Sequence, residues 1–349
     1  MKKYTFIIAL LSAFMAKSQE IPQIKLSAYV EAYYGFDFSN PQNHQRPSFL
    51  YSHKRHNEVN VNLAYVKAAY DNQQVRANLA FMTGNYAQYN LAAEPSILQN
   101  IYEANIGVKL SKTKNIWLDA GVMPSHIGFE SAISTDCWTL SRSFVAENSP
   151  YFETGAKISS TNDEGNFTAA FLVLNGWQRI QRPDGFNRPS IGMQFNYKPK
   201  SSLTLNYSNF IGSDKPDSLK TLRFYNNLYA IYEPNENWGL TFGFDFGVEK
   251  PNSRTASIWS TPVLIFKKKV NDKSKIALRA EFFNDKNQVI VSTNTTNGFR
   301  TFGASAGYDY QIQPNVLFRV EGRFFNSQDA IFNGEKRNFS LLTSVSGKF

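Results

Sequence analysis

From about Ile24 onward the chain falls into segments of strand length in which apolar and polar residues alternate. A period of two sends successive side chains to opposite faces of a sheet, so one face meets lipid or core and the other meets water. The clearest segment is Leu240-Thr241-Phe242-Gly243-Phe244-Asp245-Phe246-Gly247-Val248, where one face is wholly apolar and the other carries Thr, Gly, Asp and Gly. Ile191, Met193, Phe195 and Tyr197 alternate in the same way with Gly192, Gln194, Asn196 and Lys198. So do Val316, Phe318, Val320 and Phe324 with Arg319, Glu321 and Arg323. A soluble β-sandwich would show this alternation too, so the connections have to decide.

The alternation predicts an all-β chain of about sixteen strands, near residues 24–38, 58–70, 75–84, 101–110, 116–124, 151–161, 167–175, 190–198, 202–212, 221–233, 238–248, 256–270, 275–284, 299–311, 315–325 and 337–349. Two classes of connection lie between them. Short ones, such as Asp71-Asn72-Gln73-Gln74, Pro199-Lys200-Ser201 and Pro234-Asn235-Glu236-Asn237, are built from residues that favour tight turns. Longer ones lie near 39–57, 85–100, 125–150, 176–189, 213–220, 249–255, 285–298 and 326–336, and short and long alternate strictly. That order is the one a transmembrane antiparallel up-and-down β-barrel requires: an even strand number, turns on one side, loops on the other, and both chain ends on the turn side. Miscounting one hairpin leaves a range of about fourteen to eighteen strands. An open edge in hydrocarbon would leave backbone groups unpaired at several kcal/mol each, so the last strand should close on the first.

The opening residues change the picture from a barrel in general to an exported one. Met1-Lys2-Lys3 and the apolar run that follows have the form of a signal peptide, and Ala16-Lys17-Ser18 offers a cut after Ser18. The expected organisation is a signal peptide at 1–18 and one barrel domain at 19–349. No later apolar run approaches the roughly twenty residues of a membrane-spanning helix, and the mean hydropathy is negative. Without Lys2, Lys3 and Lys17 the formal charge falls from +9 to +6, and the remaining basic residues are dispersed. Nucleic acid is therefore not an expected partner. The one cysteine, Cys137, excludes an intramolecular disulfide. The 18 Tyr and 29 Phe suit sheet surfaces and membrane interfaces.

The final segment, Phe339 to Phe349, alternates and ends in phenylalanine. In this it resembles bacterial outer-membrane proteins generally, and the resemblance implies that Leu341, Thr343, Val345 and Phe349 are recognised by the barrel-insertion machinery. Outer-membrane lipid and lipopolysaccharide are the surroundings such a barrel meets, with the termini in the periplasm.

About sixteen strands leave an aqueous lumen, whereas eight fill themselves with side chains, so width points to transport. The longest connection runs from Ser125 to Pro150 and mixes Phe129, Ile133, Trp138, Leu140 and Phe144 with polar residues, which suits a loop packed against a wall. In position and length it resembles the inward-folded third loop of general porins. Candidate constriction residues on it are Glu130, Asp136, Arg142 and Glu147, facing the wall residues Arg76, Arg279, Arg319 and Arg323. Opposed charges across a narrow lumen set up a transverse field that orients dipolar solutes and selects among ions. Salt bridges that merely fix the loop would use the same residues. Met123-Pro124-Ser125-His126-Ile127-Gly128-Phe129-Glu130, then Ser141-Arg142-Ser143 and Glu147-Asn148-Ser149-Pro150-Tyr151 through Gly155, resemble the OmpL-like porins of Bacteroidetes. That resemblance extends over the mature chain and implies a passive outer-membrane pore for small polar solutes or ions, with homotrimers common among general porins. The alternative is a non-conducting barrel with a structural, adhesive or surface-complex role.

Other chemistry has little support. His44, His53 and His56 lie in the first long connection and His126 in the third, and Lys54 and Arg55 between His53 and His56 oppose a bound metal. A solvated basic loop near lipopolysaccharide phosphate is the simpler expectation. No nucleophile and base fall on neighbouring strands as an enzyme would need, and no cofactor motif is present, so neither catalysis nor a cofactor is expected.

Overall fold

A computed structural model of the chain describes residues 24–250 and 255–349. The signal-peptide expectation for 1–18 lies outside these residues. Sixteen strands follow one another: β1 (Lys25–Asp37), β2 (Val59–Asp71), β3 (Val75–Thr83), β4 (Ile101–Lys109), β5 (Asn115–Pro124), β6 (Phe152–Thr161), β7 (Phe167–Leu174), β8 (Ser190–Lys200), β9 (Leu203–Gly212), β10 (Leu222–Asn235), β11 (Trp238–Lys250), β12 (Ser257–Asn271), β13 (Ser274–Asp285), β14 (Phe299–Gln313), β15 (Val316–Ser327) and β16 (Arg337–Lys348). Each pairs with its sequence neighbours, and the sheet closes into a barrel by pairing β1 with β16. In that antiparallel seam Tyr29 stands opposite Lys348 and Asp37 opposite Ser340. Ala28 and Phe349 extend it by exchanging both backbone hydrogen bonds at 2.9 Å. The closed, even-numbered, up-and-down barrel expected from the alternation is what the chain forms.

Four of the turns are tighter than the sequence suggested, with two residues each. Only Ser201-Ser202, Glu236-Asn237, Asp272-Lys273 and Pro314-Asn315 separate their flanking strands. Side-chain acceptors explain part of this compactness: Asn235 Oδ1 accepts from the Asn237 amide at 2.9 Å and Asn271 Oδ1 from the Lys273 amide at 3.0 Å. Each closes an Asx turn that lets the strand run up to the reversal.

The two faces of the wall differ as the alternation requires. Phe242, Leu264, Leu278, Phe302, Leu341 and Val345 point outward and are 40 to 48 % exposed. A continuous apolar exterior of this kind belongs in hydrocarbon, since water would penalise it. Much of the interior is occupied by side chains and inward-folded loops. An apolar cluster with Phe49, Phe144, Phe210, Trp259, Phe283, Phe299 and Phe325 lies inside the barrel. Buried charged groups, among them Arg279, Glu281, Glu321 and Arg323, lie on the inner faces of β13 and β15.

Candidate functional site

The connection from Ser125 to Tyr151 crosses the lumen and is held at nearly every step. At its start His126 places Nδ1 2.7 Å from Glu153 Oε2 on β6 and Nε2 2.7 Å from the Asn209 carbonyl on β9. Both ring nitrogens face oxygens, and with Glu153 ionised the imidazolium donates to both. Gly192 on β8 makes room for it, because a Cβ there would lie 2.6 Å from Nε2. The Gly128 amide then donates to Asn227 Oδ1 on β10 at 3.1 Å. Phe129 lies over Gly243 on β11, and Trp138 over Gly239 of the same strand. These glycines on the wet face of β11 are the seats of two loop aromatics.

Further along, the loop reaches the far wall. Ser134 Oγ donates to Glu31 Oε1 on β1 at 2.6 Å and pairs with Tyr29 Oη at 2.9 Å. Arg319 on β15 donates to the Ser134 and Trp138 carbonyls at 2.6 and 3.0 Å while its Nε holds Asp309 on β14 at 2.7 Å. Ser141 gives its amide to Glu321 Oε2 at 2.9 Å, and Arg279 on β13 donates to the Ser141 carbonyl at 2.7 Å. Arg279 in turn meets Glu321 at 2.9 Å, and Arg323 meets Glu281 at 2.7 Å. A helical turn, Phe144–Glu147, is capped by Ser143 Oγ, which accepts from the Ala146 amide at 3.3 Å. Phe144 stacks on Phe325 with ring centres 5.3 Å apart.

The residues expected at the constriction are brought into this one assembly, in different roles. Arg142 has no exposed surface and spends its guanidinium on the Ser131, Leu140 and Ala132 carbonyls at 2.5, 2.7 and 3.4 Å. Glu147 is buried beneath the first long loop, accepting from the Tyr51 and Ser52 amides at 2.7 and 3.2 Å. Arg279, Arg319 and Arg323 do project inward, but they are buried and bonded to the loop or to Glu281, Glu321 and Asp309. Of the two roles the sequence left open for these residues, five of the eight take the second, buried in bonds that hold the loop. Glu130 is partly buried and accepts from the Ser143 amide at 3.0 Å. Asp136 is exposed and ion-paired with Lys348. Arg76 is partly exposed, paired with Asp119 at 2.6 Å and lying over the Trp117 ring at 4.3 Å.

Among the described residues, none of the loop's hydrogen bonds or ion pairs goes to β2, β3, β4 or β5. That arc carries polar groups paired with one another: the partly exposed Lys67 with the buried Glu103 at 2.8 Å, the half-buried Asn78 and Asn105 at 2.9 Å, and the partly exposed Arg76 with the buried Asp119. Lys157 on β6 stands beside Asp119 in the strand register. On the loop end of the barrel, a cavity of about 310 Å³ is bounded by Tyr51, Glu147, Trp177, Asp214 and Arg223. On the turn end, another of about 400 Å³ is bounded by Asp136, Trp138, Lys267, Lys275, Asp309 and Lys348.

The first long loop also folds inward, against the expectation of a solvated basic loop. Arg46, His53, Lys54 and His56 are all buried. His53 Nε2 lies 3.2 Å from Glu31 Oε1, and His56 Nδ1 accepts from the Asp37 amide at 2.9 Å. Arg46 donates to the His53 carbonyl and to Ser340 Oγ, each at 3.1 Å, and Lys54 to the Pro47 carbonyl at 2.8 Å, so the loop's basic groups are bonded within the barrel instead of being left to water. Glu31, Glu153 and Glu281 were not singled out by sequence reasoning. Their only signal was inward parity, which many polar residues share.

The chain matches, over residues 23–349, the family model described as "Putative beta-barrel porin-2, OmpL-like". No curated protein matches it. Among solved structures it is similar to an anion-selective porin from Comamonas acidovorans, with a TM-score of 0.63 at 11 % identity, covering 94 % of this chain and 99 % of that one. It is similar to the outer-membrane channel DcaP of Acinetobacter baumannii, with a TM-score of 0.60 at 9 % identity, covering 95 % and 99 %. A Salmonella typhi OmpF complex with daunomycin aligns with a TM-score of 0.60 at 12 % identity, covering 94 % and 98 %.

Proposed function

Because the chain belongs to the OmpL-like β-barrel porin family and is thereby an outer-membrane porin-like channel, we propose that small polar solutes and ions diffuse passively along the β2 to β6 side of its lumen. The observation that carries this reading is the one-sided anchoring of the 125–151 loop. Its polar anchors go to β1, β6, β8, β9, β10, β13, β15 and β16, while Lys67 and Arg76 stay partly exposed beside their buried partners Glu103 and Asp119. Opposed charges in a confined, low-dielectric passage act on a solute far more strongly than they would in bulk water. The protein contributes no reaction step in this reading, only width, field and polar contacts. Asp136 and Arg76 are the constriction candidates whose charged groups keep water-facing surface; the Glu130 carboxylate is bonded to Ser143 and closed off from water.

The same proposal places the turn end in the periplasm. Both ends of the described barrel, Lys25 and Lys348, lie on that side, as an even strand number requires. It includes removal of residues 1–18, recognition of Leu341, Thr343, Val345 and Phe349 by the insertion machinery, lipid and lipopolysaccharide around the barrel, and assembly as a homotrimer. Purified protein in a planar bilayer tests the central claim. Stepwise ion currents are expected, and a reconstituted, folded barrel that carries no current would overturn it.

A further inference from the structure

Between the crossing loop and the wall lies a third cavity, of about 230 Å³, bounded by Tyr86, Tyr102 and Tyr151 on one side and by Phe129 and Glu130 on the other. This is smaller than the roughly 300–1,000 Å³ typical of sites for drug-sized ligands, so its occupant is small. The rings stand nearly at right angles: Tyr86 to Tyr102 with centres 6.3 Å apart at 74°, and Tyr86 to Tyr151 with centres 5.5 Å apart at 80°. A flat sugar ring is gripped by a parallel platform, whereas mutually perpendicular faces form the corner of a cage that surrounds a compact cation with negative ring faces. Two wall residues add unspent polarity. Glu130 Oε1 and Tyr151 Oη are both closed off from water and have no hydrogen-bond partner. Buried acceptors left in this state are rare, and the negative charge of the Glu130 carboxylate adds to that of the ring faces in favouring a cation. Arg142 is the nearby positive group, and its N–H donors are already taken up by loop carbonyls.

We propose that this cavity is a binding subsite for small organic ammonium cations, held by Tyr86, Tyr102 and Tyr151 and by the Glu130 carboxylate. The inference rests on the channel reading for how the solute arrives, but binding at the subsite does not require current to flow. Methylated or primary ammonium groups suit it. Metal cations gain less there, because tightly bound hydration water keeps them off the ring faces, and anions are repelled by Glu130.

Calorimetric titration of the detergent-solubilised barrel with tetramethylammonium chloride tests the proposal, with sodium chloride at matched ionic strength and D-glucose as comparators. Saturable binding of tetramethylammonium in the millimolar range is expected. Glu130→Gln and Tyr102→Leu, each checked for the folded barrel by heat-modifiable gel mobility, should weaken it about tenfold or more, the loss of one strong cation contact. No saturable binding, equal binding of glucose, or unchanged affinity in both folded variants would overturn the proposal. A barrel that conducts in bilayers yet binds no ammonium refutes the subsite and leaves the channel standing. One that binds ammonium without conducting does the reverse.

Discussion

Arg279 Nη2 lies 2.9 Å from Glu321 Oε1, and both side chains are wholly buried. Ser141 of the crossing loop joins the pair, giving its amide and hydroxyl to Glu321 and its carbonyl to Arg279. Breaking a buried pair by removing one partner leaves an uncompensated charge and costs about 3–5 kcal/mol. Glu321→Gln should therefore release the loop while the barrel stays closed. The expected readout is a larger and noisier single-channel current with unaltered heat-modifiable mobility. A quiet channel of unchanged conductance would show that the pair does not hold the loop.

Arg142 offers a sharper contrast between charge and shape. If its positive charge acted directly on solutes, Arg142→Lys would be nearly silent. The structure instead has a planar guanidinium bridging three carbonyls, which a single ammonium cannot reproduce. Arg142→Lys and Arg142→Ala should alter conductance to a similar extent. Bilayer recordings of the two variants side by side check this.

Cys137, a native residue of the loop, reports on the loop's position. Its thiol is buried, and burial is the main influence raising its pKa above the ordinary thiol range. The reactive thiolate is thus scarce below that range and increases only as the pH rises through the shifted value. Folded protein should resist maleimide at about pH 8, where a free cysteine of pKa ~8.5 would react. Labelling should appear when Glu321→Gln frees the loop, as mass spectrometry would reveal. Rapid labelling of the unaltered folded protein would contradict the buried position.

The β2 to β5 arc makes a prediction about ions. Arg76 and Asp119 are paired on it, so neutralising one leaves the other unbalanced in the proposed passage. Arg76→Gln should move the reversal potential in a KCl gradient towards cation preference, and Asp119→Asn towards anion preference. Equal potentials in both variants would place the ion path elsewhere.

At the closing seam, Phe349 exchanges two backbone bonds with Ala28, while its ring is exposed. Phe349→Ala keeps the backbone bonds and removes only the ring. Reduced folded protein in outer-membrane fractions, with normal stability of whatever does fold, is the result expected of a recognition role. Unchanged assembly would assign the ring no such role.

Alternation along the chain was enough to read the strands, their parity and the side of each turn, because every strand must obey the same two-faced constraint. The crossing loop was legible as a loop that packs, from Phe129, Trp138 and Phe144 in a long connection. Its partners were not. Nothing in local sequence links His126 to Gly192 or Trp138 to Gly239, since those contacts are set by where distant strands fall around the circle. The wet-face glycines of β11 looked like small polar-side residues, yet they are cavities shaped for loop rings. Arg279, Arg319 and Arg323 had the right parity, but parity cannot distinguish an arginine facing water from one already satisfied by a carboxylate.

The loop's anchors also impose an order on assembly. It leaves the wall after β5, yet Arg279, Arg319, Glu321 and Lys348 are contributed by β13, β15 and β16, which follow it by well over a hundred residues. Contacts so remote along the chain form late, because a long loop must close before they repay its entropy. A barrel caught before its last hairpins are in place lacks the fixtures for its crossing loop. The seated loop is thus a property only of the finished protein.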